Sequence, residues 1–143
     1  MSKNRLGEPL IRDKLSENRA TLNQDELFSI AVLHFDRGEY FEAHEVWEDL
    51  WNEASGARHP FLQCLIQVAV ALHHARNQNF VGTRKLFASA LQYLEKGRSD
   101  CAPVDLDSLK ERVLDFELAL QSKLDGKNTE LHFFSLPLDP PKR

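Results

Sequence analysis

Between Gly38 and Trp51 the chain reads GEYFEAHEVWEDLW, and this stretch constrains the fold more than any other. At about 100° per residue, Val46, Leu50, Ala43, Trp47, Trp51, His44, Glu48 and Phe41 fan out in that order around roughly 220° of a helix. His44 and Glu48 fall inside the apolar arc, between Trp51 and Phe41, while Glu42 and Asp49 point to the other side. Burying ionisable groups costs free energy unless they are paired or hydrogen-bonded. The arc therefore predicts that something answers His44 and Glu48, as a site or as a structural lock.

The flanking sequence supplies four more helices. Asn23 and Glu26 form a capping pair at the start of a helix over 24–37, which Gly38 stops. The helix that carries the arc spans 40–54 and ends at Ser55-Gly56. Pro60, favoured in a first turn, opens a third over 60–76. Asn77-Gln78-Asn79 breaks it, a fourth follows over 80–96 up to Gly97, and Asp105 opens a fifth over 106–124, before Gly126. No segment alternates with period two over a useful length, so no strands are predicted.

The expected fold is an all-α, compact bundle of about five helices: two αα-hairpins, a C-terminal helix and an irregular apolar tail. Its predicted parts are a polar N-terminal extension (1–23), partly helical or frayed, a helical bundle (24–124) and a Pro-containing tail (125–143). The tail places Leu131, Phe133, Phe134, Leu136 and Leu138 among Pro137, Pro140 and Pro141.

The hairpins follow from an internal echo. A shift of 40 residues aligns Ala31 with Ala71, His34 with His74, Tyr40 with Phe80, Trp47 with Phe87 and Trp51 with Leu91. The pair resembles the tetratricopeptide repeat, whose period is about 34 residues, but two copies are too few for an open solenoid. A closed bundle is expected, with the third helix at its centre. Phe61, Leu62, Cys64, Leu65, Ile66, Val68, Ala69, Val70, Ala71, Leu72 and Ala75 cover most of that helix. Gln63, Gln67 and His74 interrupt the cover in one stripe roughly 40° wide, with His73 displaced towards Ile66.

These residues carry a resemblance. The run Phe35-x-x-Gly-x-Tyr-Phe-Glu-Ala-His44-Glu45-Val-Trp-Glu48-x-x-Trp51 is similar to the signature of the family known as domain of unknown function 309. The similarity continues through Phe61-Leu62-Gln63-x-Leu65-Ile66-Gln67-x-Ala69-x-Ala71-Leu72-His73-His74 and Asn79-x-x-Gly82, covering about half the chain, roughly Leu27 to Leu94. The resemblance implies a compact all-α protein, widespread in bacteria, archaea and plants, with no established activity. Its characteristic polar residues fall on His44, Glu45, Glu48, Gln63 and Gln67. Thr83 departs from the small residue expected after Gly82, which touches hairpin packing and not chemistry.

Composition narrows the function classes. A length of 143 residues fits one domain with a real core. The net charge of −4 and pI of about 5.8 argue against nonspecific nucleic-acid binding, and no long Lys/Arg run offers a basic patch. Cys64 and Cys101 form no CxxC pair, so neither a disulfide framework nor a zinc knuckle is indicated. Cys64 reads as a small buried hydrophobe. The first 19 residues lack the apolar core of a secretory signal, and no apolar run reaches ~18 residues. The expectation is a cytoplasmic protein with no membrane partner.

Three chemistries compete for the polar cluster. His44 and Glu48 stand one helical turn apart and could share a metal ion with His74. The fifth position of His44-Glu45-Val46-Trp47-Glu48 is glutamate, however, so this is not the HExxH of zinc proteases, and no metal or other cofactor is predicted. Acid–base catalysis would use the same His44–Glu48 pair, with Glu45 as a spare carboxylate. No Ser or Cys nucleophile stands beside it. The third reading is a binding or scaffold domain, with His44, Glu45, Glu48, Trp51, Gln63, Gln67 and His74 as its polar centre and a protein or peptide as its partner. This is the preferred reading, and a small metal-assisted or acid–base enzyme is the alternative. Within it, the second and third helices are expected to be neighbours, with His44 and Glu48 facing Gln63 and Gln67. Trp47 and Trp51 are assigned more to the core than to a ligand platform and His34 to the core edge, and the tail is expected to pack on its own domain.

Overall fold

The computed structural model describes residues 22–140, so the expected N-terminal extension lies almost wholly outside the described residues. Five α-helices follow one another: α1 (Gln24–Asp36), α2 (Tyr40–Glu53), α3 (Arg58–Arg76), α4 (Phe80–Lys96) and α5 (Leu106–Leu124), with a 3-10 turn at Arg98–Asp100. No strand occurs among the described residues, only an isolated bridge between Val104 and Leu138. Side chains cap the starts of α1, α4 and α5. Asn23 and Glu26 close a reciprocal capping box, and Asn79 and Asp105 accept from Gly82 N and Ser108 N. α3 begins two residues earlier than expected, which leaves Pro60 inside the first turn, where its missing N–H costs no bond.

The 40-residue echo has a backbone cause. α1 ends with Gly38 at φ +78°, Gly38 N donating to Phe35 O (2.9 Å) and Glu39 N to His34 O (2.8 Å). α3 ends in the same way: Gln78 has φ 63°, Gln78 N donates to Ala75 O (3.0 Å) and Asn79 N to His74 O (2.8 Å). Both are Schellman caps, in which one left-handed residue lets two N–H groups reach back to the last helical carbonyls. His34 and His74 hold equivalent positions, since the carbonyl of each receives the outer of these two bonds.

α1, α2, α3 and α4 pack in sequence, each on the next, and α5 packs on α4. Ring contacts set an antiparallel register between α2 and α3: Trp51 lies 4.2 Å from His59 and Phe41 5.8 Å from His73. Trp47, Phe35, Phe61 and Phe87 are fully buried at the centre. Each such side chain contributes roughly 1.5–3 kcal/mol of burial. As expected, α3 is buried on most of its circumference, but Val70 is only half-buried and lies with Gln63, Gln67 and His74 on the outer seam of the helix.

The tail completes the core as a strap. Leu138 bridges to Val104, Asp105 N donates to Pro137 O (3.0 Å), Asp139 N to Pro103 O (2.7 Å) and Leu136 N to Asp36 Oδ1 (2.8 Å). Phe134 reaches Phe35 at 6.1 Å, and Phe133 stacks on Tyr40 at 6.0 Å. The Arg76 guanidinium lies 5.0 Å over Tyr40 and 5.3 Å over Phe133, and donates to Gly38 O at 2.7 Å. One cation thus clamps the end of α3, the α1–α2 turn and the strap.

Candidate functional site

The polar residues of α2 collect on the rim of its buried face. That face is centred on Ala43, Trp47 and Leu50, so Phe41 is 48% exposed and the Glu48 side chain 54% exposed. The arc read from the sequence is therefore too wide by its last two residues. Burial on a helix is decided by which neighbours pack against it, and no described helix covers the Phe41 edge. His44, half-buried, has its Nδ1 at 2.9 Å from Phe41 O and its Nε2 at 3.1 Å from Glu48 Oε2. Both ring nitrogens face oxygen acceptors, and both contacts are N–H donations when the ring carries two protons. Phe41 lies against the His44 ring at 5.0 Å and the His73 ring at 5.8 Å.

α2 and α3 are direct neighbours, and Gln63 and Gln67 are half-buried. The bonds of His44 nevertheless run to Phe41 and Glu48, not to the glutamines, and Gln67 Oε1 is buried with no partner. A buried acceptor without a donor is costly, so the cluster is not a sealed, fully paired lock. Glu45 is half-buried beside it. His74 turns to the start of α4, where its Nδ1 lies 3.3 Å from Asn79 Nδ2. The ring that meets Phe41, and through it the His44 edge, is that of His73, which lies off the glutamine stripe, displaced towards Ile66. Among the described residues, no three or more His, Cys, Asp or Glu side chains are grouped to hold a metal ion.

Trp51 stacks on His59 at 4.2 Å and 27° between planes, with its Nε1 buried and unpartnered. His34 is 3% exposed, and its Nδ1 meets Glu39 Oε1 at 3.0 Å, a carboxylate that sequence reasoning missed because the two are five residues apart across a turn. Its Nε2 is buried without a partner, so this core-edge histidine is satisfied on one side only. Burial pushes the Cys64 thiol up to about 12, which keeps it protonated and unreactive near neutral pH. Clefts of about 440 and 530 Å³ lie elsewhere, one at the C-terminal end of α2 and one between α5 and the strap.

No helix among the described residues is long and apolar enough to cross a membrane. A Bacillus subtilis (strain 168) protein described as "Uncharacterized protein YpuF" is 36% identical over 70 residues, which is 48% of this chain. The match spans 40% of that relative's length, so this chain covers less than half of it. Residues 28–86, from α1 through the first part of α4 and including all the polar candidates, match the family described as Domain of unknown function (DUF309).

Proposed function

We propose that this domain is a protein-binding module that presents the α2–α3 hairpin to its partner, with Phe41, His44, Glu48 and His73 at the contact and Glu45, Trp51, Gln63, Gln67 and His74 supporting it. One observation carries the reading: a half-exposed aromatic ring, Phe41, rests on two histidine rings beside an open His44–Glu48 pair, while Gln67 keeps a buried acceptor unpaired. Aromatic anchors with a polar, solvent-accessible rim are the usual make-up of a contact patch. Acid–base chemistry by His44 and Glu48 is the alternative, and the 3.1 Å pair is what favours it. Against it, the two clefts of 440 and 530 Å³ are lined by other residues, so the pair lacks a floor for a small substrate there.

The test compares immobilised wild-type protein with a Phe41→Ser/Glu48→Lys variant of equal melting temperature in extract from the native host. A protein retained by the first and lost by the second is the expected result. Identical retention by both overturns the reading.

A further inference from the structure

The charge of this chain is unevenly placed. Residues 38–75 hold six carboxylates (Glu39, Glu42, Glu45, Glu48, Asp49, Glu53) against one guanidinium, Arg58, a net −5 that exceeds the −4 of the whole chain. α2 contains no Lys or Arg. Its last turn carries no basic residue, whereas the last turns of α1, α3, α4 and α5 carry His34, His73 with His74 and Arg76, Lys96 and Lys123. The C-terminal end of a helix is the negative end of its dipole, so Glu53 stands where local electrostatics disfavours a carboxylate. A local rule broken without a compensating contact inside the fold points to something outside it.

What lies at that end is an open cleft of about 440 Å³ with an apolar floor. Leu50 and Leu62 form the floor, and Asp25, Glu53 and Asp100 stand at the rim. Asp25 has a local reason to be there, in the first turn of α1; Glu53 has none. Arg58 also lines the cleft but is already engaged, donating to Ala102 O at 2.6 Å and lying 4.8 Å over the Phe61 ring and 5.3 Å over Phe28. Asp100 pairs with Arg58 at 3.8 Å, so the cleft offers the carboxylates of Asp25 and Glu53 and the negative end of a helix beside Leu50 and Leu62.

We infer that this cleft docks a cationic, Lys- or Arg-bearing segment of a partner protein. Aliphatic stems would lie on Leu50 and Leu62, and the charged heads would meet Asp25, Glu53 and the last carbonyls of α2. This rests on the reading of the α2–α3 hairpin as the partner surface and names the chemistry of what it receives.

The test uses the full chain, isotope-labelled, titrated with a short amphipathic peptide of Leu and Lys, and with its Leu/Glu counterpart as control. Amide shifts at Asp25, Leu50, Glu53 and Ala54 are expected with the Lys peptide alone, and affinity should fall steeply as salt rises past physiological strength. Glu53→Lys, at an exposed position, should leave the melting temperature within a degree or two and weaken binding by about tenfold or more, ~1.4 kcal/mol. Shifts confined to the Phe41 end, with Glu53→Lys neutral, overturn the inference and leave the hairpin reading standing. Equal displacement by a free diamine, or shifts at the cleft on simple concentration of the protein, would assign it to a small cation or to a second copy and overturn it as well.

Discussion

The two Schellman turns of this molecule share a backbone but differ in their surroundings. At the first, His34 is buried and faces the Glu39 carboxylate at 3.0 Å, and the next residue, Tyr40, is 3% exposed. At the second, His74 is half-buried and meets the Asn79 amide at 3.3 Å, and Phe80 is also half-buried. The difference lies in what crosses each turn: Phe133 of the strap and Arg76 from the end of α3 cover the first, while the second is more open. The hydrogen-bond pattern of a turn is thus local, whereas the burial of its side chains depends on a segment about ninety residues downstream.

The comparison can be broken at several points. The largest effect is expected at its most similar pair. Trp47→Ala and Phe87→Ala each empty a fully buried site at equivalent places in the two hairpins, and each should cost about 3–5 kcal/mol in denaturant unfolding. A cost below about 1.5 kcal/mol for either one would show that the hairpins do not share one core.

Phe133→Ala should cost somewhat less, about 2–3 kcal/mol, by removing its stack on Tyr40 at the first turn along with its contacts to Phe116 of α5 and to Arg76. Burial raises the Tyr40 phenol above its ordinary value, with Arg76 opposing, so exposing it should lower the midpoint of its ultraviolet titration. An unmoved midpoint would mean that the strap is not what buries Tyr40.

Gly38→Ala should cost about 1–3 kcal/mol, because Gly38 has φ +78° and a Cβ there would meet the Arg76 guanidinium nitrogens at 2.7 Å. Gln78→Gly at the matching position, where φ is 63°, should be neutral or stabilising by up to about 1 kcal/mol. Equal losses for both would refute the account of the clamp.

Alkali probes both hairpins at once. The Cys64 thiol is pushed up from 9.0 to about 12 by burial and Tyr40 is also raised, so the folded state holds these protons more tightly than the unfolded chain. The Cys64 contribution is therefore fully present below about pH 9 and is lost as pH climbs towards 12, by up to roughly 1.4 kcal/mol per unit, and that of Tyr40 is lost in the same direction. Relative to its own value at pH 7, Cys64→Ala should lose less stability at pH 10 than wild type, as read by chemical denaturation. An identical pH dependence would contradict this.

The smallest effect concerns the candidate site. Glu48 is mostly exposed, so Glu48→Ala should cost no more than about 0.5 kcal/mol, the usual range for an open i,i+4 pair. A loss above 2 kcal/mol in thermal or denaturant melts would restore the buried-lock account.

The sequence by itself determined the helices and their ends. Capping residues, Gly38, Pro60 and the 3.6-residue periodicity act over a few positions, and such short-range forces are readable in order along the chain. It also determined the hairpin echo and the burial of Trp47, because an apolar residue at the centre of a wide arc faces the core whichever neighbour supplies it. Only the tertiary structure decided the edges. It put Phe41 and Glu48 in solvent, set His73 and not His74 beside the α2 edge, paired His34 with Glu39, and laid Phe133 over Tyr40. A residue on the rim of an arc is buried or exposed according to whether another segment happens to cover it. That segment is distant in sequence and close only after the chain has folded.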